Sequence, residues 1–169
     1  MTDRDRDAEG DGETDGRPRL ADQRDVETVY QPAFVVGSDI NPDACRQAVG
    51  AGLRVVRADL LGPFRDGAFD VVCCNPPYLP TPPEDEWSDP MERALSGGPD
   101  GRAVVDPFLA GVGRVLAEGG KAVLLISTLT GLEAVRETAA EHGLETSVVT
   151  EEAYPFEGLL VVGLVEHSA

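Results

Sequence analysis

An α/β fold on an open, mostly parallel sheet is the class this sequence predicts, and three observations carry that prediction. Short apolar runs rich in β-branched residues alternate along the chain with longer stretches of helical spacing. The run Phe69-Asp70-Val71-Val72-Cys73, broken only by Asp70, reads as a buried strand of a parallel sheet. It stops at Asn75-Pro76-Pro77-Tyr78, where two prolines cannot donate to a ladder and each pushes the residue before it into an extended conformation. The chain therefore leaves the sheet there as a stiff rod.

Residues 1–28 are polar and densely charged, with too little apolar surface to offset the entropy of ordering. We expect a disordered acidic leader there and a single domain over residues 29–169. Residues 34–40 are the first expected strand, ending at Asp39 and Ile40. An acid at the carboxyl end of a parallel strand can accept hydrogen bonds from both hydroxyls of a ribose, and a solvated helix-capping aspartate is the other reading of Asp39. Asn41 caps the following helix, Pro42 takes its first position, and Gly50 or Gly52 ends it. Residues 53–58 form the next strand, followed by Asp59-Leu60, where Asp59 taken alone is a loop acid.

After the Asn-Pro-Pro-Tyr strand, residues 80–99 make a polar, proline-rich loop long enough to frame a substrate entrance. Residues 102–117 place Val104, Val105, Phe108, Leu109, Val112, Val115 and Leu116 at helical spacing, the mark of a core helix. Gly111-Val112-Gly113 lies inside that helix and so is not a dinucleotide loop, which must follow a strand and open a helix. Residues 121–127 are an apolar strand, and residues 129–142 an amphipathic helix that Gly143 ends. Residues 144–150 and 159–166 are two closing strands joined through Tyr154-Pro155-Phe156. His142 and His167 sit near element ends and read as solvated caps.

Composition narrows the function classes. The net charge is −17, with Lys121 the single lysine among 14 basic residues, so carboxylates dominate the surface. Such a field repels phosphates, which argues against direct nucleic-acid binding. It also suits a halophilic cytosol, where carboxylates keep a protein hydrated. Cys45, Cys73 and Cys74 lack the spacing of a metal knuckle or a redox pair and read as reduced, buried thiols; no metal site is expected. No apolar run reaches membrane-spanning length and the start of the chain lacks a signal-peptide pattern, so a cytoplasmic protein is expected.

In an open α/β sheet, ligands bind beyond the carboxyl ends of the strands, which is where Asn75 and Tyr78 stand. The Asn75 side-chain amide oxygen and the Pro76 backbone carbonyl are two acceptors on a rigid support, suited to gripping both hydrogens of a planar NH2 group. Tyr78 offers a flat face to the amide or base plane. Held so, the nitrogen lone pair turns out of conjugation and towards an electrophile. An ordinary turn after a strand is the plainer reading of the same four residues.

Asn75-Pro76-Pro77-Tyr78 resembles the signature of class I S-adenosyl-L-methionine-dependent N-methyltransferases that modify glutamine amides or exocyclic base amines. Val29-Tyr30-Gln31-Pro32-Ala33, Ser38-Asp39-Ile40-Asn41-Pro42 and Ser96-Gly97-Gly98-Pro99-Asp100-Gly101-Arg102 narrow the likeness to the HemK and PrmC group, and within it to the archaeal and eukaryotic branch. The resemblance implies a Rossmann-like sheet closed by a C-terminal antiparallel hairpin, with S-adenosyl-L-methionine as cofactor. It implies transfer of a methyl group to the glutamine of a Gly-Gly-Gln motif in a class I peptide chain release factor. It also implies a small zinc-binding activator subunit as partner. Asn75 and Pro76 would hold the amide and Tyr78 would stack on it, with Pro77 completing the loop. Asp39 would meet the ribose, Asp59 the adenine amino group and Leu60 the ring, with Ile40 and Asn75 also expected at the cofactor. In-line displacement at a cationic sulfonium would move the methyl, with orientation supplying most of the acceleration.

One departure from the family pattern lies between Ala33 and Phe34, where the first strand, a Gly-x-Gly-x-Gly loop and the first helix are missing. That is half or more of a βαβ unit of about 30 residues. The loop brings backbone to the methionine half of the cofactor, and the strand is central in the family sheet. Its neighbours must then re-pair, pair with another chain or leave a row of buried groups unsatisfied. Two alternatives follow: a DNA or RNA amino-methyltransferase, for which no cationic approach path is evident, and a degenerate, non-catalytic paralogue.

Overall fold

A computed structural model describes residues 34–82 and 95–167 of the chain. The expected leader, the Val29-to-Ala33 motif and most of the 80–99 loop lie outside the described residues. The chain divides into residues 1–35 and residues 36–169, and every element below belongs to the second unit. In chain order these are β1 (Gly37–Asp39), α1 (Pro42–Gly50), β2 (Val55–Arg57), β3 (Phe69–Cys74), α2 (Val105–Val115), β4 (Leu116–Ser127), a 3-10 turn (Thr128–Thr130), α3 (Leu132–Glu141), β5 (Leu144–Ala153) and β6 (Gly158–Glu166).

The strands form two sheets. β1 and β2 pair in parallel, with Asp39 opposite Arg57. The other four lie in the order β3-β4-β6-β5, with β3 and β4 parallel and the other pairings antiparallel. The expected mixed sheet with a closing antiparallel hairpin is present, and among the described residues it is divided between β1 and β3. The backbone groups along that division were expected to be buried. β1 is instead exposed throughout and Val71 is 50% exposed, so solvent reaches these strands. β3 was expected to be buried as well; of its residues only Val72 is. Among the described residues β3 pairs on one side only, with β4, and a parallel strand paired on one side lacks the cover that makes it an interior element.

The core lies on one face of the four-stranded sheet. Val72, Ala122, Leu124, Ile126, Leu160, Val162 and Leu164 point to that face and pack with Val105, Phe108, Leu109, Val112 and Val115 of α2 and with Val135 and Ala139 of α3. Each of the larger side chains stabilises the fold by about 1.5–3 kcal/mol when fully buried. The helical spacing of residues 102–117 thus marked a true core face, and Gly111 and Gly113 lie inside α2 as expected.

Element ends moved for physical reasons. β4 begins at Leu116 rather than near Lys121, because Leu116 pairs with Phe69 across a register shift. The helix expected from residue 129 is two pieces, a 3-10 turn and α3, separated by Gly131 at φ +84°. Asn41 caps α1 by accepting from the Asp43 amide at 2.8 Å, with Pro42 first in the helix. Among the cysteines, Cys45 is buried and Cys74 half-buried, but Cys73 is exposed, correcting the expectation for that residue. His142 is exposed at the end of α3, and His167 pairs through Nδ1 with Glu145 at 2.6 Å.

Candidate active site

The expected site residues fall into two groups at the carboxyl ends of strands. The first stands on the β1–β2 sheet. Asp39 ends β1 and is exposed, and its Oδ1 accepts from the Asn41 amide at 2.7 Å. Asp39 thus braces Asn41, the residue that caps α1, and does not itself cap the helix as the other reading had it; among the described residues nothing engages its second carboxylate oxygen. Ile40 is 64% exposed, and its carbonyl accepts from Arg57 Nε at 3.5 Å. The Ala58 amide donates to the Asp39 carbonyl at 3.0 Å, which carries the pairing of the two strand ends towards Asp59. Asp59 is exposed, and no hydrogen bond or ion pair engages its carboxylate among the described residues.

Leu60 sits at φ +47°, among the described residues the one non-glycine in the left-handed region. Such backbone costs on the order of 1–3 kcal/mol and persists only where its surroundings enforce it. Leu60 is half-buried against the core cluster, which supplies that enforcement.

The second group is the loop after β3. Asn75, Pro76, Pro77, Tyr78, Leu79 and Leu95 line a cavity of about 120 Å³. Asn75 is exposed, Pro76 buried, and Pro77 and Tyr78 half-buried, so the amide head projects from an anchored base. The chain beyond it is tied to the glycine-rich loop. Leu79 bridges Ser96 in parallel, the Gly97 amide donates to the Leu79 carbonyl at 2.9 Å, and the Thr81 amide donates to the Gly98 carbonyl at 2.8 Å. Gly101, at φ +77°, lies so close to Tyr78 that a Cβ there would stand 2.5 Å from the Tyr78 carbonyl oxygen. The Ser96-to-Arg102 motif is thereby the second wall of the Asn-Pro-Pro-Tyr loop.

Reading the sequence missed Leu95 as a lining residue and Thr130 as a donor to the Tyr78 carbonyl, at 3.0 Å across 52 positions. The local signal was weak, a threonine in a short turn after an apolar strand. Beneath the loop, burial pushes the Cys74 thiol up to about 12, with neighbouring Cys73 adding to the shift. Burial thus holds Cys74 in its protonated form at neutral pH.

Together the two groups can do two kinds of work. One offers exposed carboxylate oxygens to hydroxyl or amino donors. The other offers a fixed amide and a half-buried aromatic ring to a small planar group. Among the described residues, no Gly-x-Gly segment joins the end of a strand to the start of a helix. No cluster of three metal-ligating side chains occurs among them either.

No protein-family model matches the chain. It is 32% identical over 134 residues to a Methanocaldococcus jannaschii protein assigned by name to the protein N5-glutamine methyltransferases, an alignment covering 76% of this chain and 68% of that one. It is 39% identical over 119 residues to the release factor glutamine methyltransferase of Mycolicibacterium smegmatis, covering 66% of this chain but 36% of that longer protein. Among solved structures, the E. cuniculi Mtq2–Trm112 complex, described as responsible for methylation of the eRF1 translation termination factor, superposes with a TM-score of 0.60 at 29% identity. The match covers 79% of this chain and 71% of that one. With its class I methyltransferase sheet and 32% identity over an alignment that spans 68% of the Methanocaldococcus jannaschii relative, this chain belongs to the HemK/PrmC-type protein N5-glutamine methyltransferase family.

Proposed function

We propose that the chain is a glutamine-amide N-methyltransferase whose acceptor site is the cavity of Asn75, Pro76, Pro77 and Tyr78. The observation that carries this reading is that one cavity is lined by these four consecutive residues together with Leu79 and Leu95. Asn75 Oδ1 and the Pro76 carbonyl accept from the two amide hydrogens, and the Tyr78 ring packs on the amide plane. Fixing that plane turns the nitrogen lone pair towards the donor, and orientation of this kind is worth several orders of magnitude in rate. No side chain has to remove a proton before attack.

S-adenosyl-L-methionine is the methyl source in this reading; when bound it supplies a methyl group on a cationic sulfonium. The residues present fit one half of it. Asp39 keeps a free carboxylate oxygen for ribose hydroxyls, beside Ile40. Asp59 has an uncommitted carboxylate for the adenine amino group, and Leu60 is held in an enforced conformation beside it. Among the described residues the methionine half has no counterpart, in keeping with the lack of a glycine loop between Ala33 and Phe34 in the sequence. Two charge-assisted bonds are worth about 3–6 kcal/mol together, equivalent to a dissociation constant between about 6 mM and 40 μM, and the freedom lost on association weakens this to about 1 mM or beyond.

Similarity to the E. cuniculi Mtq2–Trm112 complex, which acts on eRF1, supports a class I release factor as substrate and a small activator subunit as partner; that this subunit binds zinc rests on resemblance. A high-salt setting is supported by the net charge of −17, and the cytoplasmic reading rests on the sequence pattern alone; no helix among the described residues is long and apolar enough to cross a membrane.

Mass spectrometry of a release factor carrying the Gly-Gly-Gln motif, incubated with the chain at several millimolar cofactor, tests the reading. We expect one methyl group on the glutamine, lost in Asn75→Ala while cofactor affinity is unchanged. Near-full turnover by Asn75→Ala would remove Asn75 from the proposed role.

A further inference from the structure

The Asn75-to-Tyr78 loop has an unusual anchoring problem. Pro76 and Pro77 have no amide hydrogens, so nothing can tie the middle of the loop through donors of its own. Its shape has to be fixed through its carbonyls. The Tyr78 carbonyl accepts from Thr130 Oγ1 at 3.0 Å and packs on the α-carbon of Gly101 from another side.

Thr130 is only 1% exposed, and its turn is braced in several directions. Ser127 Oγ accepts from the Leu129 amide at 3.2 Å and donates to Glu157 Oε2 at 2.6 Å. The Gly158 amide donates to Thr128 Oγ1 at 2.9 Å. Arg102 Nη1 donates to the Thr130 carbonyl at 3.2 Å, and Arg102 is itself held by Asp100. A buried hydroxyl on so constrained a turn is a fixed point, not an adaptable contact.

We propose that Thr130 is a positioning residue: through its hydroxyl, the braced turn at the end of β4 sets the Tyr78 carbonyl and with it the orientation of Asn75 and the Tyr78 ring. The inference deepens the acceptor-site reading and rests on it for its kinetic consequence, but its structural consequence can be measured without any activity. Thr130→Val keeps the side-chain shape and removes the donor, and Thr130→Ser keeps the donor.

The chain has two asparagines, Asn41 and Asn75, so their side-chain amide resonances in a nitrogen-15 correlation spectrum are readily told apart. In Thr130→Val the Asn75 resonance shifts or splits while Asn41 stays in place, and Thr130→Ser restores the original position. In methyl transfer, kcat falls about 10–100-fold in Thr130→Val with the cofactor KM unchanged, and recovers in Thr130→Ser. A role confined to stability would lower the unfolding midpoint and leave the Asn75 resonance where it was; that result, or failure of Thr130→Ser to restore it, overturns the proposal. Absence of methyl transfer by every form, including wild type, would count against the proposed function, while the Asn75 resonance would still decide the role of Thr130.

Discussion

Replacing Gly101 with alanine probes the contact that shapes the acceptor loop, and its size can be worked out from a comparison of glycines. Gly101, Gly52 and Gly119 all hold positive φ, at +77°, +80° and +75°. A Cβ at Gly52 or Gly119 meets nothing within 4 Å, whereas at Gly101 it would stand 2.5 Å from the Tyr78 carbonyl oxygen. Alanine at any of the three incurs a left-handed penalty of about 1–2 kcal/mol, offset by about 0.4–1 kcal/mol from the less flexible unfolded chain. Gly52→Ala and Gly119→Ala should therefore cost between about 0 and 1.6 kcal/mol. At Gly101 the backbone must also open by about 0.9 Å, the difference between 2.5 Å and the 3.4 Å where ordinary contact begins. Overpacking of that kind adds about 1–3 kcal/mol. Urea titration at constant m-value reads the difference as a lower midpoint for Gly101→Ala than for either control. Equal midpoint shifts at the three positions would refute the claim that the loop around Gly101 is built against Tyr78.

Two further outcomes are expected. With burial pushing the Cys74 thiol up to about 12 against an ordinary 9.0, the unfolded chain gives up this proton first; its stabilising contribution is complete below pH 9 and is lost as pH rises from 9 to 12. Cys74→Ala should flatten the wild-type pH profile there by at most about 1.4 kcal/mol per pH unit, and identical slopes in chemical unfolding would contradict the assignment. The net charge of −17 should make the fold salt-dependent: melting temperature should climb with KCl as the screening length shrinks from about 30 Å at 0.01 M to about 3 Å at 1 M. Circular dichroism melts that do not move with salt would count against the high-salt setting.

What the sequence made legible was mostly what local periodicity encodes. α2 could be read because Val105, Phe108, Leu109, Val112 and Val115 share one helical face, and that face is the core. The cap at Asn41 and the stop at Gly143 were readable because each rests on the conformational preference of a single residue type. Misjudged features depended on partners far away in the chain. β3 has the composition of an interior strand, yet Val71 and Cys73 are exposed, because burial is decided by neighbours and not by the strand itself. β1 and β2 pair over three residues each, less than half the span expected for β1. In the candidate site, the Asn-Pro-Pro-Tyr loop announced itself through its prolines. Its supports did not: the hydroxyl of Thr130 and the bare α-carbon of Gly101 meet the Tyr78 carbonyl from positions 52 and 23 residues onward, a relation that only the folded chain displays.

We propose that this chain keeps the acceptor loop and the nucleoside carboxylates of its family without the glycine loop that would hold the methionine half of the cofactor. Isothermal titration of S-adenosyl-L-methionine into the 169-residue chain, and into a form with a strand, glycine loop and helix inserted after Ala33, measures that division most directly. Binding on the order of 1 mM or weaker is expected for the chain as it stands, with a gain of two or more orders of magnitude on insertion, each tenfold step being about 1.4 kcal/mol. Micromolar binding by the unmodified chain, or no gain on insertion, would contradict this proposal.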